Sequence, residues 1–152
     1  MKILFVCTGN TCRSPMAEGI MKDLIKKEKL NIEEVKSAGL IAREGMPVSE
    51  NSVKALEKFG IDISKYKASV IKEEDLEEAD IILTMTSDHE DMILQAMPKY
   101  SHKVFTLSDY VDDSREDISD PYGGSQKEYD ITADIILEKL KKLIEKLKKK
   151  GY

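Results

Sequence analysis

Apolar residues along the chain form short continuous runs in some segments and recur at helical spacing in others. Residues 2–6 are a short apolar run that is followed by Gly9 and then by Ser14-Pro15, which predicts a buried strand, a loop and a helix start. From Pro15 onward, apolar residues recur on one helical face: Ala17, Ile20, Met21, Leu24 and Ile25. The chain therefore opens with a strand, a loop and a helix.

The same two patterns continue along the chain. Three further strands are predicted at residues 35–38, 80–85 and 103–107. Helices are predicted from a cap at Ser49 or Asn51 to a stop at Gly60, over residues 88–97, and at the C-terminal end. Residues 108–126 are predicted to be a long polar loop, and loops of this length in a domain are often functional.

Strands that alternate with helices favour one α/β architecture. We expect a single domain over residues 1–152, built on a right-handed parallel sheet with helices on both faces. Ligands of such sheets bind at the carboxyl ends of the strands, where the loop after Val6 would lie.

Composition narrows the possible partners. The chain has 152 residues, 41% apolar and 35% charged, which suits a globular domain whose core needs no disulfide or metal. No apolar run is long enough for a membrane span and the first residues lack a signal-peptide pattern, so we expect a cytoplasmic protein without membrane contact. A net charge of −5 argues against nucleic acid as a partner, and the lysines near the C-terminus alternate with leucines as on a solvated helix face.

The loop after the first strand carries candidate chemistry. A loop this tight can turn its amides inward around an anion, with the N-terminal end of the next helix adding positive potential. Gly9 supplies backbone freedom and Asn10 tolerates left-handed geometry. Arg13 would hold a phosphate as a two-pronged fork. The predicted phosphate-binding residues are Thr8, Gly9, Asn10, Thr11, Cys12, Arg13 and Ser14.

Cys7 is the candidate nucleophile of this loop. A helix N-terminus and a nearby arginine stabilise a thiolate, so the pKa of Cys7 is expected to lie below its ordinary value. Ser14 can donate its hydroxyl hydrogen to the sulfur and steady the thiolate. Asp120 is the candidate acid that protonates the leaving group and then activates water.

These residues carry a resemblance to a known family. Cys-x5-Arg-Ser near the N-terminus, together with Asp120-Pro121-Tyr122, resembles the low-molecular-weight protein tyrosine phosphatase family. Nearly the whole chain is similar, since further segments match family landmarks: Ser37-Ala38-Gly39, Gly60-Ile61-Asp62 and Ile82-Leu83-Thr84-Met85.

The resemblance implies a fold, a mechanism and a set of roles. It implies a four-stranded parallel sheet flanked by helices and hydrolysis through a phosphocysteine. The nucleophile would be Cys7, the phosphate-binding residue Arg13 and the general acid Asp120. Ser14, Asn10 and Ser37 would form the hydrogen-bond network that shapes the loop. Tyr66 departs from the family pattern, because many relatives have a histidine there.

Two positions bear on the substrate. Thr11 stands where tyrosine-directed members usually have an aliphatic residue, and Gly123 stands where they have a second aromatic one. In this respect the chain is more similar to the bacterial protein-arginine phosphatase branch. A threonine hydroxyl, and a pocket wall shortened by the loss of the second aromatic residue, would suit a flat guanidinium. Thr11 and Tyr122 are therefore candidate specificity residues. Phosphotyrosine remains the alternative substrate, and Tyr122 could instead be a partly packed tyrosine.

Other functions are weaker alternatives. Related arsenate reductases use downstream cysteines, and none follows Cys12. A non-catalytic phosphate-binding module would leave Cys7 and Asp120 without a joint purpose. Cys12 is either a packing residue or, as the resemblance suggests, the partner of Cys7 in a reversible disulfide. We expect a monomer whose partners are phosphorylated protein substrates, with no cofactor and no metal, since two cysteines with His89 and His102 make no convincing zinc site.

Overall fold

Four short strands form one sheet in which all neighbouring strands are parallel. The computed structural model describes residues 1–152. In chain order the strands are β1 Lys2–Cys7, β2 Glu34–Gly39, β3 Ile81–Thr84 and β4 Val104–Thr106, and the spatial order is β2-β1-β3-β4. The register pairs Cys7 with Gly39, so β1 and β2 end side by side at the carboxyl edge of the sheet.

Helices cover both faces of this sheet. The α-helices are α1 Arg13–Glu28, α2 Glu50–Glu57, α3 Glu73–Glu78, α4 Ser87–Ala96, α5 Leu107–Asp112 and α6 Gln126–Lys149, with a 3-10 helix at Pro98–Lys103. None of the helices combines the length and apolar character that a membrane crossing requires.

The pleat of β1 divides the core into two parts. Ile3, Phe5 and Cys7 point to the larger part, which contains buried residues of α1, α2 and α6. Leu4 and Val6 point to the smaller part, which contains buried residues of α3 and α4. The predicted parallel α/β fold with helices on both faces is confirmed.

The prediction of an uninterrupted loop over residues 108–126 was wrong, because α5 occupies Leu107–Asp112. The hydroxyl of Thr106 accepts a hydrogen bond from the amide of Asp109 at 3.0 Å and caps the helix. At the other end Asp112 accepts a hydrogen bond from Lys139 of α6 at 3.0 Å. The apolar pattern of the sequence did not reveal α3, which is strongly acidic and buries only Leu76.

Gly39 lets the loop after β1 lie against the end of β2. A Cβ atom at this position would stand 2.7 Å from the carbonyl oxygen of Thr8 and 2.9 Å from the amide nitrogen of Asn10. Real Cβ atoms do not approach backbone atoms so closely, so any side chain here would push the loop away. The family landmark Ser37-Ala38-Gly39 therefore has a steric reason at its last residue.

Candidate active site

The loop between β1 and α1 has its carbonyl groups bonded to neighbouring segments. Leu40 and Ile41 donate their amides to the carbonyls of Cys7 and Thr8 at 3.0 and 2.9 Å, and Ser49 donates to the carbonyl of Thr11 at 3.0 Å. By contrast, no amide from residues 9–12 donates to a backbone carbonyl. Loop amides that donate to no backbone carbonyl are available to an anion, as a nest requires, and the phosphate-binding role of this loop stays a prediction.

Arg13 joins this loop to the segment that carries Asp120. Its side chain is buried, and Nη1 donates to the carbonyl of Ile118 at 2.9 Å, while Nη2 lies 3.5 Å from Oδ2 of Asp120. The remaining guanidinium nitrogen, Nε, is buried and has no hydrogen-bond partner. A buried N–H on a cation without an acceptor is costly, and it fits an anion that binds beside it.

The Cys7 thiol is buried and in contact with Ser14. Its Sγ lies 2.9 Å from Oγ of Ser14. Burial is the largest influence and raises the pKa of Cys7, whereas the Ser14 hydrogen bond, the Arg13 charge and the Asn10 amide lower it. The prediction of a pKa below the ordinary value was therefore wrong, because it ignored the burial of the sulfur at the end of a central strand.

Asn10 orients the groups around the sulfur. Its backbone is left-handed, with φ of 56°. The side-chain Oδ1 accepts a hydrogen bond from the Ser69 amide at 2.8 Å, and Nδ2 then donates to Ser14 at 2.8 Å and to Ser37 at 2.9 Å. Because the Ser14 hydroxyl already accepts from Asn10, its hydrogen is free to be donated to Cys7. The predicted network of Ser14, Asn10 and Ser37 is present in the structure.

Two residues that the sequence analysis missed extend this network. Ser37 donates to Oε1 of Glu18 at 2.7 Å, and Lys22 donates to Oε2 of Glu18 at 2.6 Å. Lys22 also lies 5.3 Å from the ring centre of Tyr66, the residue that departs from the family pattern. Glu18 and Lys22 follow Ser14 at four-residue steps along α1, so helical spacing was the signal that could have revealed them.

Most of the predicted site residues line one open pocket of about 480 Å³, but Asn10 and Ser14 of the predicted phosphate loop lie outside its lining. The tyrosine of the Asp-Pro-Tyr motif, Tyr122, is 76% exposed, which excludes the packed alternative. Three further lining residues were not predicted from the sequence: Ile41, Arg43 and Met46 follow β2 and reach the same pocket because β2 ends beside β1. The residues that line the pocket are Cys7, Thr8, Gly9, Thr11, Cys12, Arg13, Ile41, Arg43, Met46, Asp120 and Tyr122.

Cys12 is buried with a free thiol. Its Sγ lies 3.4 Å from the hydroxyl of Tyr129 and 3.7 Å from that of Ser49. These contacts make Cys12 part of the packing between the loop and α6. No three His, Cys, Asp or Glu side chains lie close enough together to hold a metal ion, and the expected absence of a metal or cofactor stays a prediction.

The relatives found by comparison with known proteins are phosphatases. The family described as low molecular weight phosphotyrosine protein phosphatase matches residues 2–152. The chain is 43% identical over 149 residues to a protein-arginine-phosphatase of Bacillus subtilis (strain 168), and the match covers 98% of each protein. It is 42% identical over 148 residues to the low molecular weight protein-tyrosine-phosphatase PtpB of Staphylococcus epidermidis, with 97% of each covered.

Solved structures extend this similarity to the whole fold. A mutant of the YwlE arginine phosphatase with a phosphorylated active site serine matches with a TM-score of 0.96 at 42% identity, covering 99% of this chain and 98% of that one. A low molecular weight protein tyrosine phosphatase from T. tengcongensis matches with a TM-score of 0.92 at 44% identity, covering 96% of this chain and 99% of that one.

Loss of the Ser14 hydroxyl is expected to raise the pKa of Cys7 further, because a hydrogen bond that favours the thiolate disappears. In a Cys12→Ser background, Ser14→Ala should move the pH midpoint of Cys7 alkylation by iodoacetamide upward. At pH 7 the alkylation rate should fall about tenfold or more, since hydrogen bonds to charged groups contribute about 1.5–3 kcal/mol. The matched control is Ser108→Ala, because the Ser108 hydroxyl is buried without any hydrogen-bond partner. Equal midpoints for the two variants would contradict the role of Ser14.

Proposed function

Because the chain belongs to the low molecular weight phosphotyrosine protein phosphatase family, we propose that this cysteine-dependent protein phosphatase hydrolyses phosphoarginine in proteins. The observation that carries the proposed site is Arg13, whose buried Nε lacks an acceptor in the pocket that Cys7 lines. With the amides of residues 9–12, which donate to no backbone carbonyl, it offers an array of donors for the phosphoryl oxygens.

The first proposed step transfers the phosphoryl group to Cys7. The thiolate attacks phosphorus opposite the leaving nitrogen, so that an S–P bond forms as the P–N bond breaks. Asp120 gives a proton to the departing guanidine nitrogen. Its carboxyl group lines the pocket, and Oδ1 is held by the Tyr122 amide at 3.1 Å, which supports this role.

The second proposed step releases phosphate. Asp120, now ionised, takes a proton from water as the water oxygen attacks phosphorus, and the S–P bond breaks to regenerate the thiolate. The Ser14 hydroxyl stabilises the sulfur as it departs, because it can donate to Sγ at 2.9 Å. Arg13 keeps the phosphoryl oxygens in place through both steps.

The preference for phosphoarginine rests on two positions. Thr11 lines the pocket and brings a hydroxyl where an aliphatic residue is usual in tyrosine-directed relatives. Gly123 has φ of 80°, a conformation that favours glycine. The backbone itself therefore disfavours an aromatic residue at this position, which would add a second aromatic wall to the pocket. The similarity to the arginine phosphatase of Bacillus subtilis agrees with this preference.

Phosphotyrosine is the second candidate. Three exposed apolar side chains, Ile41, Met46 and Tyr122, line the pocket and could flank a phenol ring. The similarity to the tyrosine phosphatase of Staphylococcus epidermidis also favours it. The deciding experiment compares kcat/KM on peptides of one sequence that carry either phosphoarginine or phosphotyrosine. A higher value for the phosphotyrosine peptide would overturn the arginine proposal, and Cys7→Ser provides the inactive control.

Replacement of Thr11 is expected to change this preference. Thr11→Ile keeps the β-branch, so the loop should still fold, but it removes the hydroxyl and adds apolar bulk. We expect the ratio of kcat/KM for phosphoarginine to that for phosphotyrosine to fall by roughly one to two decades, the effect of one hydrogen bond to a charged group. Thr11→Ser, which keeps the hydroxyl, is the control. A ratio within about threefold of wild type in Thr11→Ile would show that Thr11 does not set specificity.

Asp120→Asn tests the proposed acid through the leaving group. A poor leaving group depends on proton donation, so the variant should lose about a hundredfold or more in phosphocysteine formation on peptides. An activated substrate such as p-nitrophenyl phosphate should lose much less, because its phenolate departs unaided. The measurement is single-turnover kinetics with substrates of graded leaving-group pKa. Equal slowing for all of them would remove Asp120 from the acid role.

We also propose that Cys12 protects Cys7 from irreversible oxidation. Peroxide converts Cys7 to a sulfenic acid, and attack by the Cys12 thiol releases water and leaves a disulfide that a thiol reductant reopens. To react, Cys12 must leave its contact with Tyr129. After mild peroxide treatment and reduction, wild-type activity should return, whereas Cys12→Ser should remain largely inactive. Equal recovery in both proteins would leave Cys12 with the packing role alone.

A further inference from the structure

We propose that His89 is a positioning residue of the catalytic pocket that turns the hydroxyl of Thr8 into an additional hydrogen-bond donor to the substrate phosphoryl group. The proposal rests on the phosphatase activity and is independent of the preference for phosphoarginine. It concerns two side chains, whereas the phosphate-binding role expected of this loop rests on its backbone amides and Arg13.

The structure determines which nitrogen of His89 carries a hydrogen. His89 lies in the first turn of α4, and its Nδ1 accepts a hydrogen bond from the amide of Thr86 at 3.2 Å. An amide can only donate, so Nδ1 is unprotonated and the hydrogen of the neutral ring is on Nε2. Nε2 lies 2.8 Å from Oγ1 of Thr8. The imidazole therefore donates to Thr8.

The Thr8 hydroxyl has its acceptor positions occupied by protein groups. It accepts from Nε2 of His89 at 2.8 Å and from Nη2 of Arg13 at 3.4 Å. A hydroxyl oxygen has two lone pairs and one hydrogen, so only the hydrogen remains to be used. Thr8 is exposed and lines the pocket with Cys7 and Arg13, and no protein acceptor takes that hydrogen. The acceptor that fits is an oxygen of a bound phosphoryl group.

His89 must stay neutral for this arrangement. Burial lowers the pKa of His89 to about 4, helped by the Arg13 charge, while Asp88, Asp117 and Asp120 oppose the shift. A protonated ring would point a second hydrogen at the Thr86 amide and place a cation beside Arg13. The stability that the neutral ring contributes is present above the ordinary histidine pKa of 6.5 and is lost as the pH falls through about 4. At neutral pH the donor direction is therefore constant.

The alternative is that His89 serves only as part of the α4 cap, in which Thr86 and His89 bond reciprocally. Replacement of His89 by asparagine or by glutamine separates the two roles. Asparagine places an acceptor near Nδ1 and keeps the bond from Thr86 but is too short to reach Thr8. Glutamine places an amide near Nε2 and can still donate to the Thr8 hydroxyl.

The test measures kcat/KM for p-nitrophenyl phosphate and the inhibition constant of inorganic phosphate, neither of which depends on an arginine preference. Thr8→Val should lower kcat/KM and weaken phosphate inhibition by about tenfold, whereas Thr8→Ser should stay within about threefold of wild type. His89→Asn alone should lower kcat/KM several-fold. In the Thr8→Val background it should cause no further loss, because the two substitutions remove the same interaction. His89→Gln should recover most of the activity.

Three results would overturn the proposal. One is a Thr8→Val variant within twofold of wild type, and another is a Thr8→Ser variant as impaired as Thr8→Val. The third is a double variant whose loss equals the product of the single losses, which would mean that His89 acts on the fold and not through Thr8. Urea unfolding of each variant is measured alongside, and where His89→Asn does not fold, the two Thr8 variants together with His89→Gln decide the outcome, since a folded His89→Gln as impaired as Thr8→Val would also overturn the proposal.

Discussion

The proposed anion site depends on backbone carbonyls that are held from outside the loop between β1 and α1. A buried peptide group needs a partner for both its oxygen and its N–H, and here the oxygens of Cys7, Thr8 and Thr11 are bonded by the segment after β2 and by the start of α2. The amides of residues 9–12 in the same loop donate to no backbone carbonyl, and the backbone amide of Asn10 is directed at the sulfur of Cys7. The absence of a side chain at Gly39 is what allows this contact to be so close.

The inward turn requires strain at Asn10, which is stabilised by its own side chain. A left-handed residue costs about 1–2 kcal/mol of free energy. The three hydrogen bonds of the Asn10 side-chain amide offset this cost, at about 0.5–1.5 kcal/mol each. Because the Ser69 amide fixes which atom of the Asn10 side chain accepts, the side-chain NH2 of Asn10 is the donor to both Ser14 and Ser37. The Ser14 hydroxyl, which accepts from Asn10, keeps a hydrogen that it can donate to a Cys7 thiolate. The same group thus shapes the loop and directs a donor at the sulfur.

The sequence predicted the parts of this molecule that depend on local patterns. Short apolar runs were enough to predict the four strands, and the Cys-x5-Arg-Ser and Asp-Pro-Tyr motifs include several residues that line one pocket. The failures involve tertiary contacts. α5 is held by lysines of α6 that lie about thirty residues away, as in the pair of Asp112 and Lys142. His89 reaches Thr8 only because β3 lies beside β1, and the burial that raises the pKa of Cys7 is a property of the assembled core.

The proposed catalytic groups and the proposed specificity residues lie in different parts of the structure. Cys7, Arg13 and Ser14 are all less than 5% exposed, and each is bonded to groups from other segments. The outer wall is different, since Ile41 and Tyr122 are 71% and 76% exposed and extend from loops. A change on such a wall disturbs little packing, so it can alter which leaving group fits without moving the sulfur or the guanidinium. Thr11 is the exception, because it belongs to the phosphate loop and also faces the pocket, and a substitution there can act on both substrate fit and bond cleavage.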